Sequence, residues 1–93
     1  MNEGNTQTRT LMSSLEILNE NVRQLEKLLN LSEKLVDKFE RTENDLKKGS
    51  AEIDSGYEKQ QNIVGLFYGA NERIVVLMNK IETNVEKVIS MID

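Results

Sequence analysis

The chain has 93 residues, a formal charge of −4, two Phe, two Tyr and no Trp, Pro, Cys or His. That inventory excludes disulfides, thiol or imidazole catalysis and zinc-finger sites, and it bounds the chain to one small domain. With 30% charged residues and only 38% hydrophobic ones, it has the profile of long solvent-exposed helices and not of a globular core.

Residues 1–8 (MNEGNTQT) are polar and lack periodicity and an apolar core, so they are expected to form a disordered tail and not a signal peptide. A first arm is predicted over about 9–48. Thr8 or Thr10 could cap it, and Ser13-Ser14-Leu15-Glu16 has capping-box spacing, although the same residues also suit a mid-helix serine pair. Asp37 with Arg41 and Glu43 with Lys47 have the i,i+4 order that supports a helix, and Lys47-Lys48 suits the negative end of its dipole.

Around Lys47–Gly56 (KKGSAEIDSG) a turn is expected at about 48–52. Gly49 follows a lysine pair as at a helix C-terminus, and Ser50 could cap a second helix with Ala51 and Glu52 in its first turn. Ser55-Gly56-Tyr57-Glu58 offers a second start site. The second arm is predicted over about 52–92.

One hydrophobic register runs through both arms. Steps of four and three from Leu11 through Leu46 and Ile53 to Ile92 meet apolar residues except at Ser32, Glu43, Ser50, Gln60 and Asn71. A 3.5-residue period of this length signifies a coiled-coil seam. The unbroken register admits a single helical rod roughly 120 Å long. The nearly equal spans 11–46 and 53–92 and the Gly49-Ser50 break favour an all-α, antiparallel helical hairpin of coiled-coil type.

The seam is wider than a two-stranded coiled coil requires. Leu28 and Leu35 border it in the first arm, and Ile63, Ala70, Leu77, Tyr68, Val75 and Ile89 border it in the second, with Leu31 and Leu66 further round. A stripe this wide belongs to a helix with two neighbours. These ten residues are therefore expected to form a protein-interaction surface that completes a four-helix bundle with a second copy or with other helical subunits; the alternative is that they thicken an intramolecular seam. Gln60 and Asn71 are candidate register-setting polar groups. Gly65 and Gly69, in GLFYG, are candidates for close approach of another backbone, or simply a weak helical stretch.

No phosphate-binding, metal-ligating or nucleophile motif is present, and neither Glu16-Glu20 nor Glu82-Glu86 has the histidine companion of a di-iron bundle. No enzyme, cofactor or metal is expected. The net charge and a densest basic run of only Lys47-Lys48 disfavour nucleic acid, and no apolar run can span a bilayer. A cytoplasmic location is expected, with signal-independent export left open.

The length and midpoint turn resemble the WXG-type hairpins exported by bacterial secretion systems, with Lys48-Gly49-Ser50 in place of their Trp-x-Gly, and also small helical secretion chaperones. The seam around Gln60 resembles a SNARE-type layer pattern in part, but Asn71, Gly49 and Gly56 interrupt it. Small subunits of heteromeric coiled-coil assemblies, such as kinetochore and lysosome-positioning complexes, are similar in length and composition. The function expected is that of a non-enzymatic assembly subunit or adaptor; a secretion chaperone or exported hairpin, and a phage- or plasmid-encoded inhibitory binder, are the alternatives.

Overall fold

The structure, a computed structural model, describes the backbone of residues 3–50 and 52–93 and the side chains from Thr8 onward, Ala51 excepted. It consists of two helices, α1 (Glu3–Lys48) and α2 (Ile53–Ile92), forming an antiparallel hairpin. No strand occurs among the described residues, and no described helix is long and apolar enough to cross a membrane.

The start of α1 differs from the sequence expectation. Its backbone is helical from Glu3, so Thr8 and Thr10 lie within the helix and not at its start. Nothing in residues 3–8 forces a stop, because they contain no Pro and a packed helix extends backward at little cost once nucleated. Met1 and Asn2 of the expected tail lie outside the described residues. Ser13-Ser14 is likewise mid-helix, with Ser14 buried.

The C-terminus of α1 closes at Gly49. Its φ of +69° is left-handed, which costs an L-residue about 1–2 kcal/mol and glycine almost nothing. The Gly49 amide donates to the Leu46 carbonyl at 3.2 Å and the Ser50 amide to the Asp45 carbonyl at 3.0 Å, which is the Schellman pattern. Ser50 Oγ also donates to the Asp45 carbonyl, at 3.3 Å. Ser50 therefore finishes α1 and does not cap α2. The second helix starts at Ile53, with the Glu52 carbonyl accepting the Gly56 amide at 2.8 Å, so Ser55 is within its first turn and begins nothing.

Burial gives each helix its true register. In α1 the inward positions are Leu11, Ser14, Leu18, Asn21, Leu25, Leu28, Ser32, Leu35, Phe39, Thr42 and Leu46; in α2 they are Gly56, Gln60, Ile63, Phe67, Ala70, Ile74, Leu77, Ile81, Asn84 and Val88. We label the Leu11–Leu46 and Gln60–Val88 columns a, and the Ser14–Thr42 and Gly56–Asn84 columns d. Half of the predicted seam is therefore correct. The other half, the column Leu15, Val22, Leu29, Val36, Glu43 and the column Tyr57, Val64, Asn71, Met78, Val85, falls one residue further round, at e.

Leu28 and Leu35 are each 5% exposed, whereas their neighbours Leu29 and Val36 are 46% and 43% exposed. Charge and size explain the choice. Using e would bury the Glu43 carboxylate, and an unpaired buried charge is expensive. Using d replaces it with Thr42, whose Oγ1 donates to the Lys38 carbonyl at 2.9 Å.

The helices form two compact units. One comprises Lys27–Ile74, the other Val75–Asp93 with the α1 residues through Glu26. In the Lys27–Ile74 unit, Gly56 faces Leu46 so closely that a Cβ on Gly56 would stand 2.5 Å from Leu46 Cδ2. Antiparallel progression from that contact sets Phe39 level with Ile63, Leu35 with Phe67, and Ser32 with Ala70. Two large layers are thus followed by a small one. Ser32 Oγ is buried without a hydrogen-bond partner. In the other unit Leu18, Leu25, Leu77, Ile81 and Val88 supply the apolar contacts, diluted by Ser14, Asn21 and Asn84.

Gly49→Ala should lower stability in urea by about 1 kcal/mol, because the left-handed cap is strained by a Cβ. Gly56→Ala should also destabilise, by about 1 kcal/mol net, since overpacking against Leu46 exceeds the helix-propensity gain. The Gly56 loss should shrink in a Leu46→Ala background; an unchanged loss would show that the contact is not its cause. Ser32→Ala should stabilise by about 1 kcal/mol, the desolvation cost of its unpaired hydroxyl.

Candidate functional site

The shifted register leaves an apolar groove on one side of the Lys27–Ile74 unit. Leu35, Val36, Phe39, Ile63, Val64 and Phe67 line a hollow of about 330 Å³, with Glu40 and Glu43 on its α1 edge. A second hollow of about 360 Å³ shares Phe39 and Val64 and adds Tyr57, Gln60 and Gln61. The groove exists because the e columns of both helices lie on the same side: Val36 from α1 and Val64 from α2 enter one hollow, as the antiparallel arrangement requires.

Tyr68 borders this side. Its ring meets Phe67 edge-on, with centroids 6.4 Å apart and planes at 66°, and the Tyr68 side chain is exposed.

Charge is sorted by side. The e and b positions bordering the groove on α1 carry Glu33, Glu40 and Glu43, with Lys47 beyond them in the last turn. The opposite side, at c and g, carries Lys27, Lys34, Lys38, Arg41, Lys59 and Arg73, with Asp45 the acidic exception there. Cations that are scattered in the linear sequence therefore share a side. Arg41 pairs with Asp37 at 2.8 Å, as its spacing predicts; Glu43 and Lys47 form no such pair. Both Arg41 and Asp37 are well exposed, so this bridge is worth less than about 1 kcal/mol.

The other unit repeats the pattern in weaker form. Leu15, Met78 and Val85 are exposed at e and Val22 is half-buried there, while a wider hollow of about 540 Å³ on the opposite side is lined by Ile17, Asn21, Val76, Asn79, Lys80, Thr83 and Asn84.

The ten predicted interaction residues separate into three groups. Leu28, Leu35, Ile63, Ala70 and Leu77 are buried between the helices of their own units, so the expectation that they await a partner is corrected: they are the hairpin's core. Tyr68, Val75 and Ile89 are exposed at b on α2, Tyr68 on the groove side of its own unit. Leu31 and Leu66 are exposed at g, on the opposite side. Asn71 is half-buried at e and so borders the seam, while Gln60 is half-buried within it, level with Thr42.

A Cβ on Gly65 or Gly69 would meet nothing within 4 Å among the described residues, so no described backbone approaches either. The close-approach glycine is Gly56, which in the sequence reads as part of the turn and of a second helix start. The e-column residues Leu29, Val36 and Val64 were missed as surface because they looked like hidden seam. The available signal was Glu43, which makes its column the costlier one to bury.

Among the described residues no group of three or more carboxylates is arranged to hold a metal ion. Compared with protein-family models, curated proteins and solved structures, the chain matches none.

Leu35→Ala should cost about 2–4 kcal/mol and Leu29→Ala less than about 1 kcal/mol. Equal losses by chemical denaturation would contradict the a/d register. Gly65→Ala and Gly69→Ala should each stabilise the isolated chain by about 0.5–1 kcal/mol, from helix propensity in open space.

Proposed function

We propose that this chain is a non-enzymatic helical assembly subunit that acts by packing its e-column groove against further helices to complete a bundle. The observation that carries this reading is the exposed row Leu29, Val36 and Val64, flanked by Phe39 and Phe67, on one side of a helix pair whose core is already filled. Each helix has three apolar columns, and a helix pair buries only two of them. The third column is the feature that distinguishes a bundle helix from a two-stranded coiled-coil helix.

Exposed area supports the same reading. The chain exposes 7312 Å², against about 5,500 Å² for a compact monomer of 10.7 kDa. The excess of roughly 1,800 Å² is larger than the ~800 Å² that each partner contributes to a standard interface. No side chain among the described residues reaches complete burial. Apolar contact with other helices would remove this surface from water, with each fully covered Leu or Val contributing about 1.5–3 kcal/mol.

In host-cell extract, the tagged chain should elute in a species well above its own 10.7 kDa by size exclusion with light scattering. The Leu29→Glu/Val36→Glu variant should keep its helical circular dichroism and elute as a single chain. A wild-type chain that is a folded monomer in extract at its native level would exclude this function.

A further inference from the structure

The groove's charge points to the chemistry of its occupant. Glu40 and Glu43 line the hollow, Glu33 stands one heptad before Glu40 on the same border, and neither hollow has a lysine or arginine in its lining. The α2 border, Tyr57, Gln61, Tyr68 and Asn71, is neutral and is preceded by Asp54 in the first turn, so it supplies no cation. A second copy seated through the same face would set Glu33, Glu40 and Glu43 against themselves, or against that neutral border. Against themselves the three carboxylates meet a single cation, Lys47 in the last turn of α1, and against the α2 border they meet none. Apart from Lys47, this unit's cations, among them Lys34, Lys38, Arg41, Lys59 and Arg73, are on the opposite side, where Leu31 and Leu66 stand among charges and offer no apolar row to fill the groove.

Resting on the bundle reading, we propose that the groove of the Lys27–Ile74 unit receives an amphipathic helix of another protein whose apolar stripe is bordered by lysine or arginine. Branched or aromatic side chains of that helix enter between Val36 and Val64 over Phe39 and Phe67. Its cations meet Glu33, Glu40 and Glu43 along the α1 border. The apolar contact supplies most of the affinity; the border charges select the partner, speed its association and weaken with salt.

The test uses the full chain and two synthetic amphipathic peptides about four heptads long. Both carry Leu and Ile at a and d; one has Lys at every e and g, the other Glu. By fluorescence anisotropy at low salt, the Lys peptide should bind about tenfold more tightly than the Glu peptide, the size expected for three exposed ion pairs. The preference should narrow at high salt and reverse in Glu33→Lys/Glu40→Lys/Glu43→Lys, whose exposed substitutions leave the core untouched. Val36→Asn/Val64→Asn leaves the net charge unchanged and should weaken both peptides by at least tenfold; unaltered Lys-peptide binding there would reveal attraction to the acidic chain at large and overturn the proposal.

Equal binding of the two peptides, or preference for the Glu peptide, would also overturn it. If the purified chain instead forms a dimer that Val36→Asn/Val64→Asn dissolves, the occupant is a second copy: this inference fails and the bundle reading stands. If neither peptide binds and the chain is a monomer in host extract, both fail.

Discussion

The interaction on which the structure depends is the close approach of α1 and α2 at Leu46 and Gly56. A Cβ at Gly56 would overlap the Leu46 side chain, so the contact specifies which residues stand opposite one another beside the turn. Antiparallel geometry then carries that choice along the Lys27–Ile74 unit, setting Phe39 by Ile63 and Leu35 by Phe67. The Schellman closure at Gly49 holds the end of α1 in place for that contact, with three hydrogen bonds returning to Asp45 and Leu46. Turn chemistry and seam chemistry act on the same few residues here.

Having a and d inside leaves e outside, and the groove follows. Two helices side by side can shield one seam each. Leu29, Val36 and Val64 are as apolar as the residues that were buried, and their exposure reflects geometry, not composition. The groove is thus the residue of a three-column stripe after a two-helix fold has used two columns. Its acidic border and the basic opposite side give the two sides of the Lys27–Ile74 unit different binding character, a polarity that the net charge of −4 conceals.

Neutral polar residues inside the seam have a related role. Thr42 satisfies its hydroxyl on its own helix, which permits burial at small cost. Ser32 does not, and its unpaired oxygen is a defect the packing tolerates. Asn21 and Asn84 thin the apolar contact of the other unit. A core with these substitutions, and with no completely buried side chain among the described residues, leaves stability to be gained by association.

Much of the fold was legible in the linear chain. Periodicity gave two helices, Lys47-Lys48-Gly49 gave the end of the first, and the matched spans on either side gave the hairpin. Each of these is a local propensity or a simple repeat, which sequence reports directly. The site was legible only in part. Stepping from a by four or by three reaches e or d with equal regularity, so both registers satisfy the heptad rule and a one-residue difference exchanges core for surface. Leu28, Leu35, Ile63, Ala70 and Leu77 were read as flanks, and Leu29, Val36 and Val64 as seam, for that reason alone. By itself the sequence determined the helices, the turn and the presence of one apolar column too many. Only the tertiary structure decided which column that was, because the decision rests on how closely Gly56 admits Leu46 and on the cost of burying Glu43, and both are properties of two helices in contact.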